Sequence, residues 1–284
     1  MTTAVLITGA SSGIGRAAAL RLARRPELTV YATARRPGAV AGLAGAGARL
    51  LPLDVTGEES MAAAVAAVEA EHGSVGILVN NAGYGEYGTV EEADLDRVRR
   101  QFETNVFGLA RMTQLVLPGM RAAGRGRIVN IGSMGGRLVF PAGGYYHASK
   151  YAVEALTDAL RFEAAPFGIG VSLIEPGLIR TGFGDTAARS LAGSGGAAGP
   201  YAALNAATDR QMSAAYGSKL LSAPPEAVAR VVERAATAAR PRTRYVVTPA
   251  ARALVHTRRL LGGRVFDAYL RTRFRTPRPA AAAV

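Results

Sequence analysis

The stretch Ala4-Val5-Leu6-Ile7-Thr8-Gly9-Ala10-Ser11-Ser12-Gly13-Ile14-Gly15 decides the architecture. Its first half, Ala4–Thr8, is apolar and closed by a glycine, which predicts a buried strand. Its second half sets Gly9, Gly13 and Gly15 in a tight turn opening a helix over Gly13–Arg24. Bare backbone N–H groups and the dipole at a helix start favour an anion such as a pyrophosphate. The glycines let chain and ligand approach closely. Alone, such a turn can also be only a turn, so the rest of the chain has to decide.

Outward from this stretch, strand-like and helix-like segments alternate. Strands are predicted at Thr29–Ala34, Arg49–Leu53, Ile77–Asn80, Arg127–Ile131, Val171–Glu175 and Tyr245–Thr248. A T-x-x-E capping box at Thr56 and Glu59 predicts a helix to about His72. A second one at Thr89 and Glu92 predicts a long helix ending near Pro118. Further helices are predicted over Tyr145–Phe167 and from about Pro225 to Ala239. This alternation implies an α/β fold, a doubly wound parallel sheet of Rossmann type. Residues 1–250 are expected to form one dinucleotide-binding and catalytic domain, with a basic extension over 251–284. Residues 182–222 break the alternation and are rich in Ala, Gly and Ser, Gly193–Gly199 especially, with Phe183, Tyr201, Met212 and Tyr216 among them. They are either a surface insertion or a mobile lid over a site.

With 49% hydrophobic and 19% charged residues over 284 positions, disorder is excluded and a large core is available. The chain has no cysteine, which excludes disulfides, thiolate catalysis and cysteine-ligated metals. His72, His147 and His256 have no metal-ligand spacing, so no metal is expected. No apolar run reaches the ~18 residues of a membrane span. The start has no basic n-region and reads as mature structure, so a cytoplasmic location is expected. The net charge is +13, and +10 of it lies in residues 226–284, where 13 arginines face three acids. That end is a solvated face, a contact for an anionic membrane surface or acidic partner, or a nucleic-acid contact. No nucleic-acid motif accompanies it, so no nucleic-acid partner is expected. Residues 250–275 mix arginines with Leu254, Leu261, Val265, Phe266, Leu270 and Phe274, an amphipathic pattern expected to pack against the body.

Polar and glycine signals gather at the predicted strand ends, where open parallel sheets bind ligands. The second strand ends in Arg35-Arg36 with no acid to take ribose hydroxyls, and a guanidinium matches a 2′-phosphate. This predicts NADP(H), with NAD(H) as the alternative. Asp54-Val55, Asn80-Asn81-Ala82-Gly83, Gly132-Ser133 and Pro176-Gly177 close four other strands. Tyr146 and Lys150 lie four apart on a predicted helix and share a face. A phenol near pKa ~10 must fall by about 4 kcal/mol to serve as acid and base near neutrality. One cation ~4 Å away at an effective dielectric of ~20 supplies about that much. Desolvation opposes it, so the charge of an oxidised nicotinamide is expected to be needed as well. His147, about 100° around the helix from Tyr146, is expected to be a packing or surface residue.

Together these residues resemble the short-chain dehydrogenase/reductase family in its single-domain branch. T-G-x-x-x-G-I-G matches Thr8 to Gly15, N-N-A-G matches Asn80 to Gly83, and Y-x-x-x-K matches Tyr146 and Lys150. The family's asparagine matches Asn105, its serine matches Ser133, and its P-G followed by threonine matches Pro176, Gly177 and Thr181. One departure is Gly76, where the family usually has an acid. Arg244-Tyr245-Val246-Val247 and the arginine-rich end are similar to bacterial relatives of the hydroxysteroid and retinol dehydrogenases.

The resemblance implies reversible hydride transfer between NADP(H) and a ketone or aldehyde carbon on a bulky apolar substrate. Tyr146 would donate the proton, Ser133 would orient the oxygen, Lys150 would lower the tyrosine pKa and grip the ribose, and Asn105 would hold a water of the proton relay. Cofactor contacts are implied at Gly9, Ser11, Ser12, Gly13, Ile14, Gly15, Arg35, Arg36, Asp54, Val55, Asn81, Ala82, Gly83, Tyr146, Lys150, Pro176, Gly177, Ile179 and Thr181. Substrate contacts are expected at Tyr84, Met134, Phe140, Leu178, Phe183 and Tyr201. A homodimer or homotetramer is implied. Two other readings stay open: a non-catalytic NADP(H)-binding regulator or scaffold, and a tailoring ketoreductase of polyketide-like ketones.

Overall fold

The computed structural model describes residues 2–195 and 199–274. Its seven-stranded sheet is parallel throughout, in the order β3-β2-β1-β4-β5-β6-β9. The strands are β1 (Thr3–Ile7), β2 (Leu28–Ala34), β3 (Arg49–Pro52), β4 (Ile77–Asn80), β5 (Gly126–Ile131), β6 (Ile169–Glu175) and β9 (Arg244–Val246). The order runs outward both ways from the β1–β4 seam, which is the doubly wound arrangement, and the chain forms one domain.

Side-chain alternation explains why helices cover both faces. Along β1, Val5 and Ile7 point into one core and Ala4 and Leu6 into the other. The first core is closed by α1 (Gly13–Leu22) and α8 (Pro225–Thr237), through Ala18, Leu22, Val228 and Val232. The second is closed by α2 (Glu58–His72) and α4 (Leu109–Ala122), through Val65, Val68, Met112 and Val116. Both β1 and β4 are buried strands and carry almost only aliphatic residues, as two-sided burial requires.

Three local expectations change, and one departure finds its reason. Thr56 does not cap α2: its N–H and hydroxyl both donate to Asp54 Oδ1, and Gly57 takes the cap position. Thr89 does bond Glu92, at 3.0 Å, but α3 (Leu95–Phe102) starts later, capped by Asp94 accepting from the N–H groups of Asp96 and Arg97. The helical run then passes a wide turn, Glu103–Gly108, and α4 continues through Pro118 to Ala122. Gly76 is explained by its neighbour: a Cβ there would lie 2.5 Å from Thr3 Cγ2. Thr3 fills the space that the resemblance assigns to an acid.

Residues 182–222 are mostly helical rather than irregular. They form α6 (Phe183–Ala192) and α7 (Ala202–Gly217). The glycine-rich Gly193–Gly199 falls at their junction, and 196–198 lie outside the described residues. Both ends of the insertion are tied by a two-residue pairing of β7 (Leu178–Ile179) with β8 (Ser222–Ala223). The basic extension begins as α9 (Pro249–Arg273), and its last residues, 275–284, lie outside the described residues. Among the described residues no helix is long and apolar enough to cross a membrane.

Candidate active site

The glycine turn after β1 is a cradle with no room for side chains. Gly9 has φ +67°, and a Cβ on it would stand 2.9 Å from Ala82 Cα. A Cβ on Gly15 would stand 2.5 Å from the Gly9 carbonyl oxygen. Asn81 locks the turn: its Nδ2 donates to the carbonyls of Thr8 and Gly9, both at 2.9 Å. In return Thr8 Oγ1 accepts from the N–H groups of Asn81 and Ala82, both at 3.0 Å. The T-G and N-N-A-G motifs are therefore one hydrogen-bonded unit. Ser12 stands at the start of α1 without making a side-chain cap, and no acid occupies the first turn. A bare, positive helix start beside a tight glycine turn fits a dinucleotide pyrophosphate.

This cradle opens into a cavity of about 1210 Å³. That exceeds the ~300–1,000 Å³ of pockets for a single small ligand. Its wall includes Ser11, Gly13, Ile14, Arg35, Asp54, Val55, Gly83, Pro176, Gly177, Ile179 and Thr181, drawn from the ends of six strands. Arg35 lines it; Arg36 does not, and stands exposed at the start of the next turn. Among the described residues no His, Asp and Glu cluster could hold a metal ion.

Deeper in the cavity, α5 (Gly144–Ala164) presents Tyr146 and Lys150. Tyr146 is 6% exposed and stacks on Tyr87, with ring centroids 5.7 Å apart. The Phe183 ring lies 5.2 Å away at a tilt. Burial pushes the Tyr146 phenol up to about 12, against a smaller downward pull from the Ser133 hydroxyl. Lys150 Nζ donates to the Ile131 carbonyl at 2.9 Å, and burial pulls its pKa down to about 8. This is the desolvation that opposes Lys150 and that the charge of an oxidised nicotinamide is expected to offset. The ammonium is turned to a strand carbonyl, and the dry surroundings disfavour charge on both groups.

Ser133 leaves β5 in extended conformation, and its Oγ accepts from the Gly135 N–H at 3.0 Å. Asn105 comes from the wide turn between α3 and α4, a conformation common at functional positions. Its Oδ1 accepts from the Tyr84 N–H at 3.0 Å, and its Nδ2 donates to the Tyr84 carbonyl at 2.9 Å and to Ser149 Oγ at 3.1 Å. Asn105 and Lys150 face each other across Gly83, whose missing Cβ would lie 3.0 Å from Asn105 Oδ1 and 3.7 Å from Lys150 Nζ. His147 is buried, and its Nδ1 meets the Gly135 carbonyl at 3.1 Å. Burial drops its pKa to about 4, so it is a neutral packing residue rather than a surface one.

Behind the serine loop lies a charged cluster that no sequence pattern announces. Arg244 donates to Glu154, to Glu175 Oε1 at 2.6 Å and to Asp158 Oδ2 at 2.6 Å. Glu175 is fully buried and directly precedes Pro176-Gly177. Burial raises the Glu154 carboxyl despite Arg244, with the second carboxylate adding to the effect.

Of the expected substrate contacts, Tyr84, Met134, Phe140, Leu178 and Phe183 line the cavity. Tyr201 does not: its hydroxyl donates to Glu91 at 2.5 Å on the outside of the insertion. Lining residues that the sequence did not single out as contacts include Tyr87 and Leu221, and Met212 and Tyr216 of α7. Leu254, Tyr269 and Phe274 line it from the C-terminal helix. Their signal was legible only as apolar spacing on helices whose partners were unknown.

The sequence profile of the short chain dehydrogenases matches residues 3–191. The chain is 38% identical over 272 residues to the uncharacterized oxidoreductase YbbO of Escherichia coli, covering 95% of this chain and 94% of that protein. It is 44% identical over 181 residues to 3-ketodihydrosphingosine reductase of Bacteroides thetaiotaomicron, spanning 64% of this chain and 65% of that protein, just under two thirds of its length. Among solved structures, a short chain dehydrogenase/reductase from Burkholderia phymatum in complex with NAD superposes with a TM-score of 0.78 at 30% identity, covering 91% of this chain and 93% of that one.

Proposed function

Since this chain belongs to the short-chain dehydrogenase/reductase family, and is thereby an oxidoreductase acting on CH–OH and C=O groups, we propose that it is an NADP(H)-dependent reductase of bulky apolar ketones or aldehydes. The observation that carries this reading is Tyr146, buried beside Ser133 in the wall of a large, mostly apolar cavity. A phenol with its pKa at about 12 keeps its proton through neutrality. It can therefore give that proton to a developing alkoxide, whereas acting as a base toward an alcohol would first cost its ionisation.

When bound, the nicotinamide dinucleotide supplies the hydride for the carbonyl carbon. Gly9, Ser11, Ser12, Gly13 and Ile14 would hold its pyrophosphate, and Asp54, Val55, Pro176, Gly177, Ile179 and Thr181 would flank its other parts. Arg35 would take a 2′-phosphate, and no carboxylate at the end of β2 competes for it. Ser133 Oγ hydrogen-bonds the substrate oxygen and fixes its approach to Tyr146. Lys150, protonated below about 8, refills the tyrosine proton. Asn105 holds Tyr84 and Ser149 in place, and its Oδ1 keeps one lone pair for a relay water.

Phe140, Phe183, Met212 and Leu254 supply the apolar surface for the substrate body. The likeness to a relative named for reducing a 3-keto compound supports a ketone. NAD(H) is the alternative cofactor, as in the B. phymatum neighbour. Oxidation of NADPH and NADH with a panel of ketones of increasing apolar size tests the proposal. Turnover is expected with NADPH, with kcat/KM rising with apolar size. Cofactor binding without turnover on any ketone would return the chain to the regulator reading.

A further inference from the structure

The C-terminal helix divides its apolar residues between two faces. Ala251, Val255 and Phe266 are buried against Met134 and Leu138, with Leu254, Tyr269 and Leu270 packed around them. At Gly262 the helix kinks, with φ +77° and ψ −179°, a conformation open to glycine. Every residue of Arg259-Leu260-Leu261-Gly262-Gly263-Arg264-Val265 is exposed. Leu260 is 79% exposed, Leu261 57% and Val265 47%. The helix carries six arginines against one acid, Asp267, and among the described residues none of the six is ion-paired. Arg258 sets its guanidinium over the Phe266 ring at 5.4 Å and Arg273 over Tyr269 at 5.7 Å, which leaves Arg259 and Arg264 as the exposed charges beside the kink.

We propose that this kink is a docking tip for an anionic lipid bilayer. Leu260, Leu261 and Val265 enter the headgroup–acyl boundary, and Arg259 and Arg264 meet lipid phosphates. Exposed aliphatic residues flanked by arginines are the composition of segments that lie at a membrane interface. A second copy fits less well, because pairing this helix with itself sets like charges against each other. Leu254, Tyr269, Arg273 and Phe274 of the same helix line the cavity. Docking would set that wall against lipid, so an apolar ketone could enter from the bilayer; this consequence rests on the proposed activity, the docking does not.

Sedimentation of the full chain with phosphatidylcholine vesicles, with and without phosphatidylglycerol, tests it. The protein is expected to pellet with the anionic vesicles and to be released by salt. Leu260→Ser/Leu261→Ser is expected to weaken pelleting at least ~10-fold by withdrawing two leucines from the acyl boundary. Arg259→Gln/Arg264→Gln is expected to flatten the salt dependence. Neither pair is expected to change turnover of a water-soluble ketone. Failure of the wild type to pellet, or equal pelleting of the leucine variant, would overturn the proposal. So would light scattering showing that the leucine variant breaks up an oligomer while no vesicle binding occurs, since the tip would then be a contact between copies. A chain with no ketone turnover leaves the vesicle result fully readable, so the two readings fail separately.

Discussion

Lys150→Met is expected to destroy turnover and to stabilise the fold. Burial takes the lysine from 10.5 to about 8, so at neutral pH the fold carries a disfavoured ammonium worth about 3 kcal/mol. Methionine has similar length and no charge. It forgoes the bond to the Ile131 carbonyl, which offsets roughly 1 kcal/mol independently of pH. The sign follows from proton binding. The folded pKa lies below the unfolded one, so between them the unfolded chain holds more protons and stability rises with pH. The wild type therefore recovers as pH climbs from about 8 past 10.5, and the variant has nothing to recover. Urea unfolding of both proteins should show the variant more stable at about pH 7, with the gap shrinking by about 2.5 kcal/mol by about pH 10. Comparing the two proteins cancels the other groups that titrate there. Ketone reduction by the wild type should fall above pH about 8, as the same proton leaves. A gap that does not change with pH, or a variant less stable throughout, would show that Lys150 is not the strained cation described above.

Four further outcomes are expected. Tyr146→Phe should keep NADPH affinity by fluorescence titration and lose turnover by at least ~10². Gly15→Ala sets a Cβ 2.5 Å from the Gly9 carbonyl and against Asn81, so NADPH binding should weaken at least ~10-fold by the same titration while circular dichroism stays close to wild type. Arg35→Ser should raise KM for NADPH by roughly ten-fold or more and leave KM for NADH little changed, the loss of one charged contact to phosphate. Arg244→Met leaves Glu154 without its cation and the fully buried Glu175 with Arg137 alone, at 3.7 Å, and should cost about 3 kcal/mol in chemical denaturation.

Much of this protein was legible before folding because its signals are local. Two-sided aliphatic runs mark the strands of a covered parallel sheet, and each strand's last residues mark the ligand edge. The glycine turn, Asn81, Ser133 and the Tyr146–Lys150 spacing needed no distant partner to be recognised. The capping boxes misled because a cap is a competition: Asp54 captured Thr56, and Asp94 offered the later helix a better start.

What only the tertiary structure decided depends on burial and on partners far away in the chain. Alanine, glycine and serine between 182 and 222 do not say whether they coil or form helices; packing α6 on α7 over the cavity settles it. Spacing on α9 could not separate the buried Phe266 from the exposed Leu260 and Leu261, because the division is made by a kink at Gly262 and by the surface it meets. Helical spacing placed Lys150 near Tyr146 but could not say how dry the pair would be or where the ammonium would turn. The fold surrounds that phenol with Tyr87 and Phe183 and turns the ammonium to a carbonyl, since dielectric and direction are properties of the packed molecule.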